Sequence, residues 1–156
     1  MKTIRVISRV AAAALMMMGV AATAQAQSQT VTISAPKFAV LALGAGVSLT
    51  TATPVAGSDV AAVSAATTWS ATTNTTGAVV SSAISAGVLP TGMILTVAVG
   101  ANSAVSLSST AAAVATISKT VISGQAVNYT LTAHAADGNT AGGVALTVTY
   151  TIAQGT

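Results

Sequence analysis

The chain has 156 residues and no cysteine, and 53% of its residues are hydrophobic while only 4% are charged. The formal net charge of +3 arises from Lys2, Arg5 and Arg9, because the remaining two lysines balance two aspartates. This inventory excludes disulfides, zinc sites of the usual Cys/His type, and a basic surface for nucleic acid or anionic membranes.

An ordinary domain carries roughly 25% charged residues. The residues after Arg9 carry few charges and have a net charge of zero, and zero net charge favours association. Ser, Thr, Asn and Gln must therefore cover most of the surface of this chain. Two interpretations stay open at this point: a surface that is buried in an assembly, or a Thr-rich exported β-protein whose hydroxyl groups keep it in solution.

The N-terminus has the pattern of a secretory signal peptide. The basic residues precede the apolar run Val10–Val20, and Ala24-Gln25-Ala26 is a small-x-small cleavage site. The apolar run is short of the ~20 residues that span a membrane. We expect cleavage after Ala26, no stable membrane insertion afterwards, and a secreted bacterial protein at the cell surface or outside the cell, with the periplasm left open.

About 130 residues then remain, enough for one domain. We divide the chain into a signal peptide (1–26), an N-terminal strand (27–35) and a β-sandwich domain (36–156). In Thr30–Ala35 the apolar residues Val31, Ile33 and Ala35 alternate with polar ones, which is typical of a strand. This segment is either the first strand of its own sandwich or a donor strand that completes the sheet of a neighbouring molecule.

Further strands follow in chain order, with Gly- and Pro-containing turns between them. A short helix, a loop or an irregular strand is predicted over Ser58–Ala66. The predicted strands of the middle region are Lys37–Leu43, Val47–Thr50, Ala78–Ile84, Met93–Val99, Val105–Leu107 and Val114–Ile122, the last with a break near Lys119.

The clearest alternation lies in the closing segments Val127–Ala135 and Val144–Ile152. It places Tyr129 and Tyr150 on the buried faces and His134 on an exposed face. The turn residues between the segments predict a hairpin, or an adjacent antiparallel pair. The whole pattern predicts an all-β fold, a single immunoglobulin-like antiparallel β-sandwich of about seven to nine strands.

The residues that could carry chemistry are few. His134 is the only histidine, Asp59 and Asp137 are the only carboxylates, and no serine lies in a G-x-S-x-G context. We expect His134 and Asp137 to touch near the hairpin tip, as a solvated histidine beside a turn aspartate rather than a catalytic pair. Asp137-Gly138-Asn139 lacks the further acidic ligands of a calcium loop. We therefore predict no enzymatic activity, no cofactor and no metal site.

Trp69, the only tryptophan, is the one candidate for a stacking contact with a ligand. A lone tryptophan in a chain of this kind more often fills the core between two sheets. Both interpretations of Trp69 remain open from the sequence.

The ending Gly142-Gly143-Val144-Ala145-Leu146-Thr147-Val148-Thr149-Tyr150-Thr151-Ile152 resembles the final strand of chaperone–usher-type pilins and spore-coat-like surface subunits. The overall pattern is similar to secreted bacterial immunoglobulin-like sandwiches, although the cysteine pair usual in those families is missing. The resemblance implies polymerisation by strand exchange at the cell surface and no enzymatic activity.

We therefore expect an exported structural or adhesive surface subunit that assembles into fimbria-like or coat-like polymers. Its partners would be further copies of itself or other envelope proteins. The alternative is a monomeric secreted binding module for a carbohydrate or an envelope protein, using the loops Thr72–Gly77 and Ala136–Gly143.

Overall fold

A computed structural model describes residues 29–137 and 143–156. The predicted signal peptide lies outside these residues, as does most of the predicted loop Ala136–Gly143. Ala35–Thr156 form one compact unit. Residues 29–35, called the N-terminal extension below, have no regular secondary structure and are exposed.

The described chain contains eight strands and no helix, so the all-β prediction is confirmed. Every strand pair is antiparallel. The strands are β1 (Ala39–Leu43), β2 (Val63–Thr73), β3 (Ala78–Ala86), β4 (Ile94–Val99), β5 (Val105–Ser106), β6 (Ala112–Ile117), β7 (Thr120–Thr132) and β8 (Thr147–Ala153).

The strands form two sheets whose inner faces enclose the core. One sheet has five strands in the order β1-β2-β7-β4-β5, and the other has three in the order β6-β3-β8. Because side chains alternate between the faces of a strand, every second residue points into the space between the sheets. In β4, for example, Leu95, Val97 and Val99 are buried, as the sequence predicts.

The core is built mostly from valine and alanine, which pack well on a pleated surface. Val80 of β3 faces the same core as Val97 and Val127 of the larger sheet, and all three are fully buried. Burying a valine side chain is worth about 1.5–3 kcal/mol. With no disulfide and few charges, this packing and the sheet hydrogen bonds stabilise the fold.

The predicted hairpin of the two closing segments is wrong. β7 pairs with β2 and β4, whereas β8 pairs with β3 in the other sheet. The alternation correctly identified an inward face on each strand, but two inward faces can belong either to one sheet or to two sheets that face each other. Here they face each other.

The structure also decides between local alternatives that the sequence leaves open. Ser58–Ala66 forms no helix, because Val63 already begins β2 and pairs with Leu131. The predicted break near Lys119 is confirmed, since Lys119 has a positive φ of 39° and lies between β6 and β7. The end of the predicted strand Val114–Ile122 and the start of the predicted segment Val127–Ala135 belong to one continuous strand, β7.

Two predicted strands are absent from the described residues. Val47–Thr50 lies outside any strand, although Val47 and Leu49 pack against the core. Thr30–Ala35 also lies outside any strand, so it is not the first strand of its own sandwich in this structure.

Candidate functional site

The outer edge of β8 is an open strand edge. β8 pairs with β3 on one side, and no strand of the described residues pairs with its other side. Natural sheets usually protect such an edge with lysine, proline or a bulge. The seven residues of β8 (TVTYTIA) include neither lysine nor proline. Within the described residues, no strand hydrogen-bonds to the backbone groups along this edge.

A groove of about 590 Å³ lies beside the first half of β8. Its walls are residues 43–50, which begin at the last residue of β1, and residues 143–150, which include the first half of β8. We call this space the β8 groove. Its lining includes the apolar side chains Leu43, Val47, Leu49, Leu89, Leu131 and Leu146.

Gly44 fixes one wall of the β8 groove. Its N–H donates to the carbonyl of Thr68 over 2.7 Å, and the Thr67 hydroxyl donates to the carbonyl of Ala45 over 2.7 Å. A Cβ on Gly44 would lie 2.7 Å from Thr67 Oγ1 and 2.8 Å from Thr68 Oγ1. The close approach of Gly44 to β2 therefore favours glycine at this position. From the sequence alone, Gly44 indicates only the end of a strand.

A pair of tyrosines joins the two sheets within the lining of the β8 groove. The hydroxyl oxygens of Tyr129 in β7 and Tyr150 in β8 are 2.7 Å apart and share a hydrogen bond. Burial raises the pKa of both hydroxyl groups, and the Tyr129 hydroxyl raises the pKa of Tyr150 further. Both therefore stay protonated at neutral pH. The sequence predicted that both tyrosine rings lie on buried faces, but it did not predict the contact between their hydroxyl groups.

The N-terminal extension leaves the domain from a fixed point. The amide of Asn74 donates to the carbonyl of Pro36 and accepts from the N–H of Phe38, each over 2.8 Å. Of the predicted donor residues, Val31 is 72% exposed and Ile33 is 87% exposed. Ala35 is exposed as well. The extension thus presents apolar side chains to solvent, with its root held by the turn that follows β2.

A cluster of polar side chains joins Asp59 to His134, which lie 75 positions apart in the chain. Asp59 Oδ2 lies 2.8 Å from Nδ1 of His134, and Asp59 Oδ1 accepts the N–H of Ala135 over 2.7 Å. Asp137 accepts the backbone N–H of His134 over 2.6 Å and does not bond to its ring. The expected contact between His134 and Asp137 is therefore a backbone contact, and the ring's partner is Asp59.

These contacts shift the ionisation of both partners. The hydrogen bond from His134, followed by those from the N–H groups of Ala135 and Val60, lowers the pKa of Asp59 from 3.8 to about 2. The hydrogen bond to Asp59 and its negative charge raise the pKa of His134 above 6.5, and the charge of Asp137 adds to this. His134 and Asp59 form an exposed ion pair when the imidazole is protonated.

This pair has the acid–base half of a catalytic triad, which also needs a nucleophile bonded to the imidazole. None of the hydrogen bonds of the described residues joins the ring of His134 to a serine or threonine hydroxyl. Among residues 29–137 and 143–156, no three His, Asp or Glu side chains cluster as metal ligands. What the pair does in this structure is hold two loops together.

Trp69 lies in the core. Its ring is 3% exposed, and its N–H donates to Oε1 of Gln125 over 3.3 Å. The side chain therefore fills the space between the sheets and offers no open face for stacking.

Comparison with known proteins gives no family. No protein-family model matches the chain, and no curated protein matches it. In the part of the chain that the structure describes, no helix has the length and apolar character needed to cross a membrane. The site's geometry is therefore the basis for a functional proposal.

Proposed function

We propose that the protein is an exported structural or adhesive surface subunit that assembles with further copies of itself. In this assembly the N-terminal extension of one copy adds as a strand to the open edge of β8 in the next copy. The observation that carries the proposal is the unpaired edge of β8 beside a groove whose lining includes several apolar side chains. The same chain also exposes an extension in which apolar and polar residues alternate.

The dimensions of the two parts agree. Thr30–Ala35 comprises six residues and spans about 20 Å when extended, and the seven residues of β8 span about 23 Å. An added strand gains main-chain hydrogen bonds along the edge, and its alternate side chains enter the groove. Val31, Ile33 and Ala35 share one face of the extended segment and are the residues that would fill the β8 groove.

The attachment point of the extension and the β8 groove lie towards opposite ends of β8, which favours a head-to-tail chain. The root of the extension lies near the end of β8, because Gln154 donates to the carbonyl of Lys37 over 3.5 Å. The β8 groove lies instead along residues 143–150, at the start of β8. A contact between two different surfaces repeats without closing on itself unless the rotation between copies closes a ring.

Apart from β5 and β6, the strand order of the described residues is similar to that of an immunoglobulin-like sandwich in which the position beside β8 is unpaired. In that fold, sheet ABED faces sheet CFG. Here β1-β2-β7-β4 matches the order ABED, and β3-β8 matches the order CF. The open edge of β8 is then the position at which strand G pairs, and a donated strand would take that position.

The test compares substitutions on the two faces of the N-terminal extension. Ile33→Asp places a charge on the face that enters the groove, whereas Thr32→Asp places the same charge on the opposite face. We expect Ile33→Asp to abolish oligomers in size-exclusion chromatography and fibres in electron microscopy, while Thr32→Asp retains both. Both residues are exposed, so neither substitution should lower the thermal stability of the monomer.

A wild-type protein that stays monomeric at high concentration would refute the assembly. A monomer would then favour the alternative function, a secreted binding module, for which the volume of the β8 groove is suitable, since ligand pockets usually measure about 300–1,000 Å³.

A further inference from the structure

The cluster of His134, Asp59 and Asp137 lies where β7 ends and next to the rim of the β8 groove. Leu131, three residues before His134, lines the groove. The N–H of Asp137 donates to the carbonyl of His134 over 2.9 Å, and the Asp137 carboxylate accepts the His134 N–H in return. This reciprocal pair closes a tight turn directly after β7.

Asp59 ties a second loop to that turn. Its carboxylate accepts the N–H of its neighbour Val60 over 2.8 Å. The same carboxylate hydrogen-bonds to the ring of His134 and accepts the N–H of Ala135. The loop before β2 and the turn after β7 are therefore joined by one carboxylate with three partners. We call this set of contacts the His134 clasp.

Asp137 connects the clasp to the groove. A Cβ on Gly92 would overlap the carboxylate of Asp137, so this carboxylate lies directly against the Gly92 backbone. Gly92 belongs to the turn in which the N–H of Met93 donates to the carbonyl of Pro90 over 3.1 Å. Pro90 and Met93 line the β8 groove, as does Leu89. The clasp thus supports the turn that forms part of the groove wall.

The charges around the imidazole are all negative. Asp59 faces it from the loop before β2, and Asp137 from the turn after β7. The two described lysines lie at the opposite end of the domain. There the backbone N–H of Lys119 donates to the carbonyl of Thr75, and the carbonyl of Lys37 accepts from the side chain of Gln154. A proton on the imidazole therefore strengthens the clasp. A neutral imidazole can still donate one hydrogen bond to Asp59, so loss of the proton loosens the clasp without opening it fully.

We propose that the His134 clasp makes uptake of a strand by the β8 groove sensitive to pH. With the imidazole protonated, the rim turn is held in place, and a strand enters a groove that is already ordered. With the imidazole neutral, the rim is looser, and ordering it costs part of the binding energy. This regulation rests on the proposed function, because it acts on the same groove.

The test measures the binding of a labelled peptide with the sequence of residues 27–37 to the purified full chain by fluorescence anisotropy between pH 5.5 and 8.5. We expect the wild-type affinity to fall by a factor of about 2 to 5 as pH rises, the range that an exposed ion pair supports. His134→Gln should bind with the weaker affinity throughout and show no pH dependence. Asp59→Asn should also bind with the weaker affinity and show a reduced pH dependence, because Asp137 still faces the imidazole. Lys119→Gln, which removes a charge at the opposite end, should retain the wild-type pH dependence.

The outcomes separate the two proposals. Absence of peptide binding to the wild-type protein at every pH would refute strand uptake itself, and the regulation with it. Binding of equal strength at pH 5.5 and 8.5, or a pH dependence that survives in His134→Gln, would refute the His134 clasp alone. Urea unfolding of each variant verifies that it is folded under the conditions of the binding experiment.

Discussion

β7 and β8 have the same sequence character and opposite situations in the fold. In the second half of β7 and throughout most of β8, apolar residues alternate with polar ones, mostly threonine. Each strand has one tyrosine that packs in or against the core. β7 is central, with β2 and β4 hydrogen-bonded along its two sides, and Val127 is fully buried. β8 is an edge strand whose inward residues Val148, Tyr150 and Ile152 are only partly buried. Alternation therefore determines which face of a strand is buried, but not whether its edge is occupied.

The largest expected effect concerns the central strand. Val127→Asp places a carboxylate in the core without a partner, and we expect a loss of more than about 4 kcal/mol in the free energy of unfolding. Thr151→Asp puts the same group on the exposed face of β8 and should cost at most about 1 kcal/mol. Urea denaturation measures both. Equal losses would contradict the contrast between the two strands.

The next effect concerns the wall opposite the β8 edge. Gly44→Ala forces the new methyl group against the hydroxyls of Thr67 and Thr68, and we expect a destabilisation of about 1–3 kcal/mol. Gly46→Ala is the matched control, because nothing lies within 4 Å of a Cβ at that position. Thermal unfolding should leave the Gly46 variant close to the wild type. A tolerated Gly44→Ala would mean that this wall does not press on β2.

The tyrosine pair that joins β7 to β8 gives a smaller effect. Tyr129→Phe or Tyr150→Phe should each cost about 0.5–1.5 kcal/mol, since each leaves the other hydroxyl without its partner. The double variant removes both hydroxyls and should cost less than the sum of the single variants. A double-mutant cycle from urea denaturation measures the coupling. Strict additivity would show that the hydroxyls do not interact.

The smallest effect concerns the turn after β7. The pKa of His134 should lie above 6.5 by NMR titration, and Asp59→Asn should return it towards 6.5. Because His134 is the sole histidine, a chain without an affinity tag gives one signal. The ion pair stabilises the fold fully between about pH 3.8 and 6.5; the contribution is lost as pH rises through the raised pKa of His134 or falls through the pKa of Asp59 near 2. An unchanged His134 pKa in Asp59→Asn would remove the basis for the clasp.

The sequence predicted features that depend on neighbouring residues. The inward faces of β4 and β7 and the break at Lys119 all follow from alternation and turn chemistry within a few residues. One of the two interpretations of Trp69, the core residue, also agrees with the structure. The exposed position of His134 follows from the alternation of apolar and polar residues in Val127–Ala135, in which His134 is one of the polar residues.

Features that depend on distant parts of the chain were not predictable in this way. The assignment of β7 and β8 to different sheets follows from pairing with β2, β4 and β3, which alternation does not specify. Asp59 meets His134 across 75 positions, and no spacing rule links them. Likewise, the β8 groove is formed by segments that are separated by tens of residues.

The side-chain amide of Asn74 bears on how the proposed assembly would carry a pulling force. In an assembly joined through the N-terminal extension, tension enters each domain at Pro36. The two hydrogen bonds of Asn74 pass that tension to the turn between β2 and β3, which connects one sheet to the other. The load would then be shared between both sheets. Without these bonds it would fall on the five residues of β1, which lies at the edge of the larger sheet and would be the first strand to detach.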